Sequence, residues 1–303
     1  MDPMAILIDT PMWPAHGTVF AHLVSDTSLA ELHTFAAAAE IPERAFDEDH
    51  YDVPERRHAD LVRRGALPVD GKTLTRTLIA SGLRVPARER AKSLATPLAQ
   101  RWERLLPGRN GLGDELLERW SEPHRRYHTG AHLFAVLAAL DELTGERPAP
   151  RAVELAAWFH DAVHTGSAGR DEEDSALLAE SRLRDAGLAP AEVGEVARLV
   201  RLTADHRPQA YDDGGQLLCD ADLSVLGREP KGYLRYTEQV RAEYAQVPDE
   251  LFRAGRASVL DQLLGLDPLF HTQRGRTLWL AQALLNLRGE LAHLRDPQQG
   301  SRA

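Results

Sequence analysis

The chain has 303 residues and a formal net charge of −10 at pH 7, with 43% hydrophobic and 27% charged residues. This composition is typical of a globular protein with one large or two smaller domains, and it excludes a largely disordered chain. The acidic balance argues against a nucleic-acid partner, since a binder of the duplex backbone needs a basic face. An anionic small-molecule substrate stays open, because bound cations can supply local positive charge.

Nothing in the sequence predicts secretion or membrane insertion. Cys219 is the single cysteine, so the chain cannot form an internal disulfide, and this is typical of a reducing compartment. The amino terminus, MDPMAILIDTPMW, lacks the basic and long apolar regions of a signal peptide. No stretch approaches the roughly 18 apolar residues that predict a membrane span. We therefore expect a cytoplasmic protein with no membrane partner.

The first 88 residues alternate short strand-like and helix-like patterns. An apolar run at 5–9 predicts a strand, and a second strand is predicted around 45–46. Helices are predicted at 29–39, 55–65 and 71–82. The order strand, helix, strand, helix, helix predicts a small α/β domain over residues 1–88. The charged, proline-containing segment 85–92 is the predicted linker.

From residue 93 to residue 296 the apolar residues recur almost throughout with helical spacing, which predicts an all-α domain. The predicted fold class is therefore an α+β chain of two domains, a small α/β domain followed by a helical one. The predicted helices of the second domain are 94–106, 112–120, 124–144, 150–163, 172–186, 190–205, 216–226, 230–245, 248–265 and 273–293.

Four polar signals interrupt apolar helices in this second half. They are the histidines of YHTGAHL, the His-Asp pair that ends LAAWFHD, the histidine of TADHRP and the two aspartates of LLCDADL. Imidazoles and carboxylates are costly to bury unless they are paired or bound to metal. Together they favour Mn²⁺, Fe²⁺, Co²⁺, Ni²⁺ or Zn²⁺. The alternative is that these are hydrogen-bonded core residues, but one ion pair explains one such site and not three on different helices.

Residues 94 to about 294 resemble the predicted metal-dependent phosphohydrolases of the HD superfamily. The resemblance rests on SEPHRRYHTGAHL, ELAAWFHDAVH, RDEEDSA, TADHRP, LLCDADLSVLG and VRAEYAQVPDELFRAGRASVL. It implies that the metal ligands are His132, His160, Asp161 and Asp222. His132 is preferred over His128 because HD domains continue from the first ligand as His-x-x-x-Val. Asp222 is preferred over Asp220 because the last family aspartate follows Ala and precedes a bulky apolar residue.

The resemblance implies hydrolysis of a phosphate ester, a nucleotide or another small phosphorylated metabolite, by a metal-activated water. The metal is a divalent ion, Mn, Fe, Co, Ni, Zn or Mg. Asp161 is expected to take part in catalysis as well as in metal binding. Glu172 or Glu173 is the expected general acid/base, although both lie where acids simply favour a helix amino terminus.

Several basic residues near the motifs are expected to contact the substrate or to support the ligands. His164 stands where an aromatic residue is expected after the His-Asp pair, and the extra imidazoles leave room for a second metal ion. The expected set is His128, His164, His206, Arg125, Arg126 and Arg207. The alternative function is a non-catalytic, metal-loaded nucleotide sensor that regulates the first domain. A homo-oligomer is left open.

Residues 4 to about 86 resemble a small bacterial domain of unknown function. The resemblance rests on DTPMWPAHG, HLVSDTSLAELHTFA, FDEDHYDVPE and GALPVDGKTLTRTL. We expect a separate recognition module. A polar set in this segment could bind metal or nucleotide, or could consist of helix caps and turn carboxylates: Asp9, His16, His22, Asp26, His50 and Asp52.

Overall fold

A computed structural model of the chain describes residues 5–15, 17–85, 91–167 and 169–296. The chain divides into two compact units, Met1–Arg90 and Ala91–Ala303. The first is a small α/β unit and the second is all-helical, so the predicted fold class is confirmed. Part of the predicted linker, 86–90, and one residue of the predicted polar set, His16, lie outside the described residues. No described helix is long and apolar enough to cross a bilayer.

The first unit is built on a five-stranded sheet. β3 is its longest strand and pairs antiparallel with β1, β2 and β4, while β1 pairs parallel with β5. The strands are β1 (Ile6–Asp9), β2 (Trp13–Ala15), β3 (Thr18–Ser25), β4 (Tyr51–Pro54) and β5 (Leu67–Val69). The helices are α1 (Leu29–Ala38), α2 (Glu55–Arg63) and α3 (Gly71–Ser81).

Helices cover both faces of this sheet. Ile8 lies in one apolar cluster with Leu32 of α1 and Leu61 of α2, whereas Leu7 lies in another with Leu74 of α3. Successive residues of a strand point to opposite faces, so β1 is buried along its whole length. This is why β1 has a continuous apolar sequence instead of an alternating one.

The strand prediction for this unit is wrong in detail. At the predicted strand 45–46, Glu43–Ala45 form a 3₁₀ turn and Phe46 makes a single bridge to Tyr51. The strands β2, β3, β4 and β5 are absent from the prediction. Three of them have only three or four residues, too few for an alternating pattern to stand out. β3 is longer, but it directly follows a Pro- and Gly-containing stretch that predicts a turn, and this obscures the start of the strand.

The second unit is helical at nearly every predicted position. Its helices are α4 (Ala91–Leu105), α5 (Asn110–Arg119), α6 (Gly130–Thr144), α7 (Arg151–Phe159), α8 (Arg170–Asp185), α9 (Pro190–Leu202), α10 (Asp213–Asp222), α11 (Pro230–Glu243), α12 (Asp249–Leu264), α13 (Gln273–Gly275) and α14 (Ala281–Arg295). A 3₁₀ turn, Leu223–Gly227, follows α10, and a π-helical turn, Arg276–Leu280, joins α13 to α14.

The helices predicted at 124–144 and 150–163 are shorter in the structure, and both differences lie at polar motifs. α6 begins only at Gly130, after an irregular segment, and Thr129 caps it by accepting the Ala131 N–H. α7 ends at Phe159, so the His-Asp pair lies in the turn that follows it. The predicted helices 124–144 and 150–163 therefore include two loops that carry the polar residues.

Three buried tryptophans connect the core of the second unit to these loops. The rings of Trp102 and Trp158 meet edge to face with centroids 5.0 Å apart. Trp120 donates its indole N–H to the Trp158 carbonyl over 3.0 Å. Its ring also lies 5.4 Å from the His160 imidazole. Such aromatic contacts stabilise a core by about 0.5–1.5 kcal/mol each, in addition to the effect of burying apolar surface. The core therefore fixes the turn that contains the His-Asp pair.

The packing of Trp102 against α5 gives a testable prediction. A Cβ on Gly113 would lie 2.4 Å from a Trp102 ring carbon, so Gly113→Ala should destabilise the chain by about 1–3 kcal/mol through overpacking. On the same helix, a Cβ on Gly111 would meet no atom of the described residues within 4 Å outside its chain neighbours and its own helix backbone. Gly111→Ala should therefore stabilise by about 0.4–1 kcal/mol. Urea unfolding measures both, and equal stability of Gly113→Ala and the wild type would contradict the packing described here.

Candidate metal centre

Three donor groups from three helices meet in the second unit. His132 lies in the first turn of α6, His160 follows the last residue of α7, and Asp222 is the last residue of α10. His132 Nε2 is 3.2 Å from His160 Nε2 and 3.1 Å from Asp222 Oδ1. His160 Nε2 is 3.5 Å from the same oxygen. The helix ends thus bring distant parts of the sequence to one point.

Asp161 extends this cluster. Its Oδ2 lies 3.1 Å from His160 Nε2 and 3.7 Å from His132 Nε2. The structure therefore brings together all four residues that the sequence predicts as metal ligands. Both imidazoles are almost fully buried, whereas the two carboxylates retain 14–17% of their side-chain exposure. The carboxylates accordingly form the accessible side of the cluster.

The spacing of the donor atoms fits a single metal ion. Ligands about 2.0–2.2 Å from a transition metal lie roughly 3.0 Å apart at octahedral angles and roughly 3.4 Å apart at tetrahedral angles. The three separations among His132, His160 and Asp222 are 3.1, 3.2 and 3.5 Å. His160 Nδ1 is 2.9 Å from the Ala157 carbonyl oxygen, which can only accept. Nδ1 therefore carries an N–H, and Nε2 faces the cluster, where its lone pair can bind a metal ion that replaces the second proton.

The charges of the cluster favour a proton on His160, and a bound cation would replace that proton. Burial lowers the pKa of His132 below its ordinary value of 6.5. Burial also acts on His160, but the charges of Asp161 and Asp222 outweigh it and raise the pKa of His160 well above 6.5. The same attraction lowers the pKa of both aspartates against the effect of burial. Without metal, the two carboxylates therefore favour the protonated form of His160.

His206 positions Asp222. Its Nε2 lies 2.8 Å from Asp222 Oδ2, which leaves Oδ1 facing the two imidazoles. The backbone of His206 has φ of 54°, a left-handed conformation that costs energy in a residue other than glycine. His271 contacts the His206 carbonyl oxygen through Nε2 at 3.2 Å. The strained turn after α9 is therefore held at the point where it orients a candidate metal ligand.

A second donor group lies beside the first and consists of His128, His164 and Glu243. Glu243 Oε1 hydrogen-bonds to His128 Nδ1 and lies 3.0 Å from His164 Nε2. Its Oε2 accepts the backbone N–H groups of residues 126, 127 and 128. His128 Nε2 lies 3.9 Å from Asp161 Oδ2, so this imidazole connects the two groups. Both groups could hold a metal ion.

Glu243 is absent from the residues predicted for the site, although the sequence contains a signal for it. The buried face of α11 consists of Tyr233, Tyr236, Val240 and Glu243, spaced three, four and three residues apart. A carboxylate on an apolar helical face needs a buried partner. That pattern could have marked Glu243 as a site residue, but its partners lie on other elements and only the structure identifies them.

A cavity of about 830 Å³ opens beside the cluster. His128, His132, Asp161 and Asp222 line its polar end, together with Glu172, His206 and Arg207. Most of the remaining wall is apolar and comes from the 3₁₀ turn, α11 and α12, and includes Leu226, Tyr236, Tyr244, Phe252 and Leu263. The cavity can therefore receive a molecule with one polar and one apolar end.

Two of the three arginines that were expected to contact the substrate or support the ligands do not line this cavity. The side chain of Arg125 is fully buried and donates to the carbonyl oxygens of His128, Asp161 and Ala162. It fixes the backbone of the His-Asp turn, which corrects the predicted role. Arg126 donates to the carbonyl oxygens of its own loop and is not among the cavity-lining residues. Arg207 is exposed and lines the cavity.

Of three other predicted residues, one lines the cavity and two do not. Glu172 lines the cavity, and its carboxylate also accepts the Gly169 N–H at the start of α8. Glu173 forms an exposed ion pair with Arg201, 2.6 Å away, and is not among the lining residues. His164 is buried against Glu243 and also does not line the cavity. Of the two predicted acid/base candidates, only Glu172 lines the cavity.

Comparison with known proteins informs the first unit alone. A family described as a protein of unknown function (DUF4031) matches residues 6–81, in agreement with the resemblance of this segment to a domain of unknown function. No HD-superfamily family matches the helical unit. No curated protein and no solved structure matches the chain. The interpretation of the helical unit therefore rests on its motifs and its geometry.

The raised pKa of His160 predicts how the stability of the metal-free chain depends on pH. Its protonated form is stabilised in the folded state, so this contribution is complete below 6.5 and is lost as pH rises through the raised value. In chelator, the melting temperature should therefore fall with increasing pH above 6.5, and it should fall less in His160→Gln. The exposed His293 gives the control, since His293→Gln should keep the wild-type slope. Equal slopes in all three chains would contradict the assignment.

Proposed function

We propose that the helical unit is a metal-dependent phosphohydrolase that acts on a small phosphate ester, with nucleotides as the first substrates to test. The observation that carries the proposal is the placement of His132, Asp161 and Asp222 at the polar end of a cavity whose other walls are mostly apolar. His160 lies directly behind them in the same cluster. An ester of phosphate has the same division, because a charged phosphoryl group is joined to a less polar organic group. The order of these ligands in the sequence supports the same class.

A divalent ion held by His132, His160, Asp161 and Asp222 would polarise a phosphoryl oxygen and lower the pKa of a bound water. Asp161 is suited to orient that water, since its partly exposed carboxylate faces both imidazoles and the cavity. His128 is suited to donate a hydrogen bond to the phosphoryl group. Burial lowers its pKa, but the charges of Asp161 and Glu243 outweigh this and raise it above 6.5.

Other residues of the cavity would complete the reaction. Glu172 supplies a carboxylate on the cavity wall, and it can move a proton to the leaving group or from the water. Arg207 supplies planar donors for phosphoryl oxygens. The aromatic side chains of Tyr236, Tyr244 and Phe252 offer apolar surface against which a nucleobase or another organic group can pack.

Metal content and hydrolysis test the proposal together. Chain purified without chelator should contain a divalent ion that Asp222→Asn loses. With added Mn²⁺, Co²⁺, Ni²⁺ or Mg²⁺ it should hydrolyse at least one nucleotide or generic phosphomonoester or phosphodiester, and Asp222→Asn should fall to the uncatalysed rate. Asp213, exposed in the first turn of the same helix, gives the control: Asp213→Asn should retain both ion and rate. A nucleotide that binds tightly but is never hydrolysed would replace the proposal with the sensor.

The two neighbouring glutamates provide a matched pair. Glu172→Gln should lower kcat by roughly 10²–10⁴-fold with the metal retained, as expected for loss of a general acid/base. Glu173→Gln should stay near the wild-type rate, because Glu173 pairs with Arg201 at the surface. Steady-state kinetics with elemental analysis of each variant measures both effects. Similar losses in the two variants, or loss of metal from Glu172→Gln, would rule out this role for Glu172.

A further inference from the structure

A separate group of histidines and aspartates lies on the sheet of the first unit. His22 of β3 and Asp52 of β4 are direct cross-strand partners. Residue 50 lies two positions before Asp52 on the segment that leads into β4, so its side chain points to the same face. Donor atoms of His22, His50 and Asp52 lie within 4.8 Å of one another. Strand pairing therefore brings two imidazoles and a carboxylate to one spot.

Each imidazole is held from behind by a buried carboxylate. His22 Nδ1 is 3.0 Å from Asp9 Oδ2, and the other Asp9 oxygen accepts the His22 backbone N–H. His50 Nδ1 is 2.6 Å from Asp49 Oδ1. Asp9 and Asp49 are 2% and 0% exposed. Each carboxylate accepts a hydrogen bond from an Nδ1–H, so both rings present Nε2 to the group, as histidine ligands of metals commonly do.

The two Nε2 atoms converge on Asp52. Asp52 Oδ1 lies 3.4 Å from His50 Nε2 and 3.9 Å from His22 Nε2, and the two rings meet edge to face with centroids 4.7 Å apart. The first separation matches that of two ligands of one ion, and a shift of less than 1 Å brings in the second. His50 is 5% exposed at its side chain, His22 24% and Asp52 39%, so the group opens to solvent beside Asp52.

We propose that His22, His50 and Asp52 form a binding site for a divalent transition-metal ion in the first unit, with Asp9 and Asp49 orienting the two imidazoles. Two imidazoles and one carboxylate suit Fe²⁺, Co²⁺, Ni²⁺ or Zn²⁺. Three protein ligands leave positions for water or a further ligand on the exposed side. The site is independent of the phosphohydrolase proposed for the helical unit, and neither depends on the other being correct.

Cobalt binding to the full chain tests the site. Chelator-treated protein is dialysed against Co²⁺, and the ions bound per chain are counted by elemental analysis. The double variant His22→Gln/His50→Gln should bind one ion fewer than the wild type. Asp52→Asn should do the same or bind that ion at least about 10-fold more weakly, because even the loss of a residue that only orients a ligand weakens metal binding by about 10–100-fold. Because Asp52 is the most exposed of the three ligands, its substitution is expected to leave the fold intact, which circular dichroism verifies.

A control and an independent optical signal complete the test. His33→Gln, at a histidine of the same unit that packs against Phe46 and Tyr51, should bind as many ions as the wild type. The ring of Trp13 lies 5.3 Å from that of His22, so bound Co²⁺ should quench its fluorescence, and Trp13→Phe should lack this component. Equal ion counts in the wild type and the double variant would overturn the proposal, and so would quenching that is unchanged in Trp13→Phe.

Discussion

The cost of burying ionisable groups determines how the helical unit is built. Two imidazoles and two carboxylates converge at the ends of α6, α7 and α10, where the rings are nearly excluded from water. Such groups are stable in a protein interior only if their charges and hydrogen bonds are matched. Here the negative charges of Asp161 and Asp222 are balanced by the protonated form of His160, or by a bound cation in place of that proton. The helices must therefore end at these positions and in these directions.

Much of the surrounding structure serves to hold that convergence. Arg125 binds three carbonyl oxygens in and around the His-Asp turn, and Trp120 packs against His160 from the core. Glu243 holds the segment before α6 through three backbone N–H groups and the His128 imidazole, and it also contacts the His164 imidazole. Arg125, which the sequence suggests as a substrate-binding residue, therefore stabilises the backbone of the site instead. Asp161, Glu172 and Arg207 line the cavity on the open side of the cluster.

Both units use the same way of fixing a histidine. In the helical unit the Ala157 carbonyl oxygen and the Glu243 carboxylate accept from the Nδ1 atoms of His160 and His128. In the first unit, the carboxylates of Asp9 and Asp49 accept from the Nδ1 atoms of His22 and His50. An acceptor at Nδ1 selects one tautomer and one ring orientation, and it makes Nε2 a better ligand. The folds that supply these acceptors differ, so the likeness follows from imidazole chemistry and not from a shared architecture.

The sequence by itself determined the fold class and the positions of most helices, and its resemblance to the HD superfamily implied the four residues of the helical cluster. Helical periodicity is carried by every third or fourth residue, so it is visible locally, and buried polar motifs stand out against apolar neighbours. The tertiary structure alone decided which charged residues face the cavity: it separated Glu172 from Glu173 and Arg207 from Arg125. It also supplied Glu243, most strands of the sheet, and the pairing that joins His22 to Asp52. These depend on contacts between residues far apart in the chain, and on which side of a helix or strand meets a partner, for which a local pattern contains no information.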